Sequence, residues 1–490
     1  MMNTMEAASH TTPASQTNGR PIDPAGTDAP ADTRFASHTP TSDVSDATGM
    51  SDASNTPGAW LRRTWFVFLP LAVYLATYLV TFPGMDSPDA GDQRAQYATW
   101  TFYKQHSVLD TFFLGFVARN QLWLSNLLQL LIMSACVITA LVVLSRRISR
   151  RWLIAATLVW TFYPLFPAYA VSCTKDVLCA AFILLLCVEL FEIIDSRGAM
   201  LARPWFAVGF GLTCFLVNEL RKNDFLFLIM IAVFLVVRYR KQWRRLLVPL
   251  LVFAVLTGGW RFTTDHVLEA TPSPTTEMLG VPLMQVGYIY YTDLNVTPQH
   301  ISSQADSYFQ SLRPAEQWAN NYATENLVVM SNKLPQLTGD DLSEFLTNWA
   351  DLCFSNLGTC VKAYVLFEGS LVNPLQRTDD QYSIAAGVTG LNKVQVSQIP
   401  AYAIPARIVF NLAILDWMIA ALAILAVRRG RRELLPLFLI PLGILLSVML
   451  AALAVQVRLM LGAIILIPFL AGLVLGRPAN DHDTARDDAN

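Results

Sequence analysis

From residue 64 onward, long apolar runs alternate with short polar breaks. The runs fall near 64–82, 122–144, 152–171, 176–194, 205–220, 224–240 and 246–260, then near 403–427, 434–453 and 458–476. About 20 helical residues cross about 30 Å of hydrocarbon, so the pattern predicts ten membrane spans. The runs 205–220 and 246–260 are short for this. Helices are expected because lipid offers no hydrogen bonds to an open backbone. The fold class expected is an all-α polytopic membrane protein of about ten transmembrane helices. It carries interfacial helices in a first outer loop and a mainly helical extracytoplasmic insertion.

The polar stretches divide the chain. Residues 1–59 are rich in Ser, Thr, Ala, Asp and Pro with only two Arg and no Lys, and are read as a disordered cytoplasmic tail. They have no cationic start followed by an apolar stretch, so no signal peptide is expected, and the first run after Arg62-Arg63 serves as an uncleaved anchor. Residues 60–260 form a membrane module whose first outer loop is 83–121. An extracytoplasmic domain follows over 261–402, then three spans over 403–476 and a cytoplasmic tail over 477–490.

Orientation comes from Lys and Arg. The clusters Arg62/Arg63, Arg146/Arg147/Arg150/Arg151, Arg197/Arg203, Arg238/Arg240/Lys241/Arg244/Arg245 and Arg428/Arg429/Arg431/Arg432 all fall on one side if ten spans leave both termini in the cytoplasm of a cell-membrane protein. Residues 262–400 then lie outside with 14 acidic against 5 basic residues. There Cys353 and Cys360 meet an oxidising compartment, either as a disulfide or as two free thiols.

Composition agrees with the pattern. Apolar residues are 53% and charged residues 15% of the chain, against about 25% charged in soluble domains. This excludes an ordinary soluble enzyme. The net charge of −2 gives no basic field for nucleic acid. The seven Cys form no CxxC and no zinc spacing. P-loop, dinucleotide, HExxH and GxSxG motifs are absent, which argues against NTP-driven transport and standard serine or zinc hydrolysis.

Candidate chemistry lies in the polar loops. Asp86, Asp89 and Asp92 fall within seven residues, followed by Gln93 and, farther on, His106. Such a cluster is either a solvated acidic turn or a site for a base or a divalent cation. The aromatic residues Tyr97, Trp100, Phe102, Tyr103, Phe112, Phe113 and Phe116 suggest helices lying in the interface. Lys175-Asp176 opens the fourth span, and a charge there is either an interfacial pair or a cavity lining. Arg221-Lys222 joins spans five and six on the outer side, against the trend of the basic clusters. A lipid phosphate would explain these cations, as it would Arg458 at the start of the last span. Arg458 would otherwise snorkel to the headgroups. Pro282 and Gln285 interrupt an apolar stretch, 278–291, that opens the insertion and either packs on the membrane part or forms a plain amphipathic helix.

The order of these pieces resembles the GT-C superfamily of polytopic membrane glycosyltransferases, and within it a bacterial branch. The matching pieces are FPGMDSPDAGDQ (82–93), His106, TKD (174–176), RKND (221–224), GVPLMQ (280–285) and the EFLTNW…AYV…NP stretch (344–374). The chain differs in having Ser107 after His106, Lys222 after Arg221, and only Arg458 of an acidic-plus-Arg-Tyr pattern near the last span. The resemblance implies an inverting transferase that uses a polyprenyl-phosphate sugar as lipid-linked donor and an envelope glycan or lipid-linked acceptor. Asp89 best fits the acidic base of the family, with Asp86 and Asp92 as further carboxylates. Gln93, His106, Lys175, Asp176, Arg221, Lys222, Gln285 and Arg458 would bind substrate. Asp89 and Asp92 would hold a divalent cation, Mg or Mn, if the enzyme uses one. The rival reading is a transporter or flippase of a lipid-linked saccharide, which would place charges in mid-span.

Overall fold

A computed structural model describes residues 64–323, 334–375, 411–451 and 455–476. The predicted tails 1–59 and 477–490, and the end of the insertion, lie outside the described residues.

The first helix, α1 (Leu69–Val80), follows a tight turn at Trp65–Phe68 and carries Pro70 in its first turn, where no backbone donor is needed. A two-residue strand β1 (Met85–Asp86) leads into α2 (Pro88–Thr99). Next come α3 (Val108–Phe112), which passes into a wide turn at Phe113–Val117, and α4 (Leu122–Ser145). The expected third span is broken at Pro164 into α5 (Arg150–Phe162) and α6 (Leu165–Ala170). Strand β2 (Ser172–Cys173) precedes α7 (Lys175–Asp195), α8 (Pro204–Leu220), α9 (Phe225–Arg238) and α10 (Trp243–Phe262).

The insertion contributes α11 (Gly280–Asn295), α12 (Ser303–Leu312), α13 (Ala315–Ala323), α14 (Asp340–Ser355) and α15 (Leu357–Glu368). The chain then supplies α16 (Leu412–Arg428), α17 (Leu439–Ala451), α18 (Val457–Ile464) and α19 (Ile467–Leu475).

Among the described residues, five helical segments are long and apolar enough to cross a membrane: Leu122–Ser145, Lys175–Asp195, Arg240–Val267, Arg432–Leu450 and Val457–Leu475. Shorter apolar helices include Trp65–Val80, Pro204–Leu220 and Phe225–Arg238. Helices therefore occur in each run picked out by the sequence, and among the described residues five helical segments reach full span length. The protein is accordingly a helical membrane protein.

Two segments form the centre of the bundle. Lys175–Asp195 is 72% buried and Val457–Leu475 is 83% buried, whereas Arg240–Val267 is only 11% buried and lies at the periphery. Helix α7 packs on α4, α8 and α18, so the centre touches both halves of the chain. In the insertion α11 is the hub. It packs on α13 and α15, and its Leu283 and Met284 join Phe309, Trp318, Phe345 and Leu352 in one apolar core. The core is closed beside a Cys353–Cys360 disulfide, so the pair is bonded rather than free. Tyr364 ties the insertion to the bundle by donating its hydroxyl to the Met449 carbonyl at 3.2 Å.

A short pair of strands departs from an all-α chain. β1 and β2 pair in parallel, Met85 with Ser172 and Asp86 with Cys173. This short ladder joins the loop after α1 to the start of α7. Two buried amides from one face of α4 hold it in place. Asn126 donates to the Pro83 and Met85 carbonyls at 3.1 and 3.3 Å. Gln129 donates to the Ser172 carbonyl at 2.7 Å and accepts from the Thr174 N–H at 3.3 Å. Gly84 has φ +89°, and a Cβ there would lie 2.5 Å from the Asn126 amide. Glycine satisfies both the left-handed backbone and this close approach.

Candidate functional site

The ladder brings two helix N-termini side by side. Ser87 caps α2 by accepting from the Ala90 N–H at 3.1 Å, and Pro88 begins the helix. Asp89 therefore sits in the first turn of α2, where the helix dipole favours a carboxylate. Thr174 caps α7, whose first two residues are Lys175 and Asp176. A third element, the start of α18, supplies Arg458.

Arg458 makes the central contact. Its Nη1 donates to Asp89 Oδ2 at 2.7 Å and lies 3.9 Å from Asp176 Oδ2, while its Nε donates to Gln456 Oε1 at 2.6 Å. His106 approaches from the loop before α3, with Nδ1 3.4 Å from Lys175 Nζ. The ammonium donates here, so Nδ1 accepts and the remaining ring proton lies on Nε2. Asp89, His106, Lys175 and Arg458 are all half-buried and Asp176 is buried.

The charges act on one another. Burial alone would raise the Asp89 carboxyl, but Arg458, Lys175 and His106 outweigh it and hold Asp89 below the usual carboxylate range. Burial, then Lys175, pushes the His106 imidazole down, so it is neutral near pH 7. The result is the ionised Asp89 carboxylate facing two cations and a neutral imidazole, with Asp176 behind Arg458.

A buried carboxyl unremarked in the sequence lies behind this cluster. Asp110, in α3, is pushed up to about 7 by burial, with Lys175 opposing the rise. Neither of its oxygens has a hydrogen-bond partner, although the Gln93 amide is close. Gln93 is itself buried and donates to the Ser107 carbonyl at 3.0 Å and to Thr111 Oγ1 at 3.3 Å. It fastens α2 to α3.

The other residues selected by the sequence lie as follows. Asp86 pairs with Arg94 at the surface, and Asp92 is exposed one turn beyond Asp89. Arg221 is buried and donates to the Leu459 carbonyl at 2.6 Å, next to Arg458. Lys222 donates to the Lys104 carbonyl and to Ser273 Oγ, the latter at 2.9 Å. Both hold the frame in this structure. Gln285 lies in the core of the insertion, where it donates to the Cys360 carbonyl at 3.2 Å and accepts from Trp349 Nε1 at 2.9 Å. The interfacial aromatics also divide. Phe102 and Phe112 stack at 5.4 Å inside a small core, while Trp100 and Phe116 are exposed.

Among the described residues no group of three or more His, Cys, Asp or Glu could hold a metal ion. Hard cations such as Mg²⁺ need several oxygen ligands. Asp89 is already matched by the Arg458 guanidinium, with the Lys175 ammonium nearby, so its carboxylate is engaged by cations of the chain.

A family model described as a family of unknown function, DUF6020, matches residues 95–366. The chain belongs to this family. The match contains His106, Asp110, Lys175, Asp176 and Arg221, but ends short of Arg458 and begins after Asp89. No curated protein matches the chain. Two solved structures do so distantly, both of ArnT from Cupriavidus metallidurans. The form bound to undecaprenyl phosphate is 15% identical with a TM-score of 0.35, covering 88% of this chain and 80% of that one. The apo form is 16% identical with a TM-score of 0.35, covering 85% and 78%.

Proposed function

We propose that the protein is a membrane glycosyltransferase that moves a sugar from a polyprenyl-phosphate donor to an envelope glycan or lipid-linked acceptor on the outer face. The observation that carries this reading is the meeting of Asp89 with Arg458 at 2.7 Å, beside Lys175 and His106, at the end of a bundle of apolar helices. In this reading the chain has ten spans with both termini cytoplasmic, and the cluster faces the outer leaflet, within reach of a lipid phosphate.

In this mechanism Lys175 and Arg458 neutralise the donor phosphate. Asp89 takes the proton of the acceptor hydroxyl. The acceptor oxygen forms a bond to the anomeric carbon as the carbon–oxygen bond to phosphate breaks. The lipid phosphate leaves with that electron pair, and attack from the opposite face inverts the centre. His106, neutral and fixed on Lys175, orients the acceptor through Nε2. Arg221 supports the turn that carries Arg458 by bonding the next carbonyl. The insertion, with Gln285 and the disulfide in its core, holds the acceptor glycan.

The test is donor binding followed by glycan analysis. The purified protein is titrated with a polyprenyl monophosphate, and Arg458→Gln is expected to weaken binding by at least tenfold, about 1.4 kcal/mol. A deletion strain complemented with Arg458→Gln should also lose an envelope-glycan modification. Undiminished phosphate binding would overturn the assignment. Phosphate binding with no change in any glycan, but with loss of lipid-linked saccharide from one leaflet, would favour a flippase.

A further inference from the structure

The turn between α9 and α10 opens a groove of about 1120 Å³ on the outside of the bundle. Its walls are apolar, with Ile229, Val233 and Val237 on successive turns of α9 and Leu439 opposite. Its mouth is basic, lined by Arg197, Arg238, Arg240 and Lys241. All four cations are exposed, and none has a salt bridge among the described residues. Two contacts fix the turn that carries Arg238, Arg240 and Lys241. Tyr239 donates its hydroxyl to the Ile193 carbonyl at 3.3 Å, and Gln242 donates to the Arg197 carbonyl at 3.4 Å. The basic turn is thus clamped to the end of α7.

This groove is separate from the Asp89 site. Helix α7 begins at Lys175 and ends at Asp195, and its 21 residues span about 30 Å. The groove lies at its far end. Its volume exceeds the range of about 300–1,000 Å³ usual for small-molecule pockets, and its walls run along a helix of the membrane part. An apolar wall alone would accept any acyl chain. The four cations at one end, none with a salt bridge among the described residues, add selection for a negative headgroup, as basic pockets between membrane helices do.

We propose that the groove binds an anionic phospholipid. The phosphate sits among Arg197, Arg238, Arg240 and Lys241, and an acyl chain lies along Ile229, Val233 and Val237. The assignment does not depend on the transferase reading.

The test uses the full chain in detergent, titrated with phosphatidylglycerol or phosphatidylcholine and read by native mass spectrometry. Wild type should retain phosphatidylglycerol and release phosphatidylcholine. The triple variant Arg238→Gln, Arg240→Gln, Lys241→Gln should bind phosphatidylglycerol about a hundredfold more weakly, at roughly fivefold for each cation. Val233→Trp fills the groove while keeping every charge, and should also release the lipid. Equal retention of the two lipids by wild type would overturn the proposal without any variant. So would wild-type binding by the triple variant. Wild-type binding by Val233→Trp would reduce the site to a charged surface and overturn the groove.

Discussion

Gln129→Leu removes the amide that fixes the start of α7 while keeping an apolar side chain of similar size. Three backbone groups lose a partner: the Ser172 carbonyl at 2.7 Å, the Tyr169 carbonyl at 3.4 Å and the Thr174 N–H at 3.3 Å. Gln129 is 2% exposed, so water does not replace it at once. A buried group left unmade costs about 1–3 kcal/mol, and the two longer bonds are weak. The loss is therefore about 2–4 kcal/mol, concentrated on the segment that sets Lys175 and Asp176 against Arg458. Heat unfolding of the purified protein in detergent should show lower stability. Polyprenyl-phosphate binding should weaken even below the unfolding transition, because Lys175 is no longer held. Wild-type unfolding together with wild-type binding would refute the view that this amide positions the site.

Three further outcomes are expected. His106 is neutral because burial and Lys175 lower its pKa, so transfer should show no histidine titration above pH 6.5, the ordinary value; a rate step there in the pH profile would show the imidazole to be unperturbed. Asp110 has a raised folded pKa, from 3.8 to about 7, so its favourable effect on stability is complete below 3.8 and is lost as pH rises through about 7. The unfolding temperature of wild type should accordingly fall relative to Asp110→Asn across this window, and parallel curves would contradict the burial argument. The Cys353–Cys360 bond closes a loop of separation 7, worth about 2.5 kcal/mol by chain entropy. Both thiols should resist maleimide until reduced, and labelling without reductant would place this loop in a reducing compartment.

The apolar runs carried the helices because membrane length is written in consecutive residues. Helix breaks were less legible, since Pro164 divides one run without changing its hydropathy. Asp89, Lys175 and Arg458 were visible as charges beside apolar runs. Their union was not, because Asp89 and Arg458 are 369 residues apart and only packing of α18 on α7 joins them. The parallel ladder of Met85–Asp86 with Ser172–Cys173 was hidden for the same reason, as two residues give no alternation. Asn126 and Gln129 do leave a signal in the sequence: two amides three residues apart on one face of an apolar run need buried partners. Asp110 left a similar one, a carboxyl among Val108, Leu109 and Phe112. Arg221 and Gln285 show the opposite limit, because residue type named their chemistry but not whether a carbonyl of the fold would claim it.

The most direct test of the central claim compares sugar transfer in membranes carrying wild type, Asp86→Asn, Asp89→Asn or Asp92→Asn at matched protein levels. Asp89→Asn should abolish transfer. Asp86→Asn breaks only a surface pair with Arg94 and Asp92→Asn alters an exposed side chain, so both should retain most activity. Full transfer by Asp89→Asn would contradict the account.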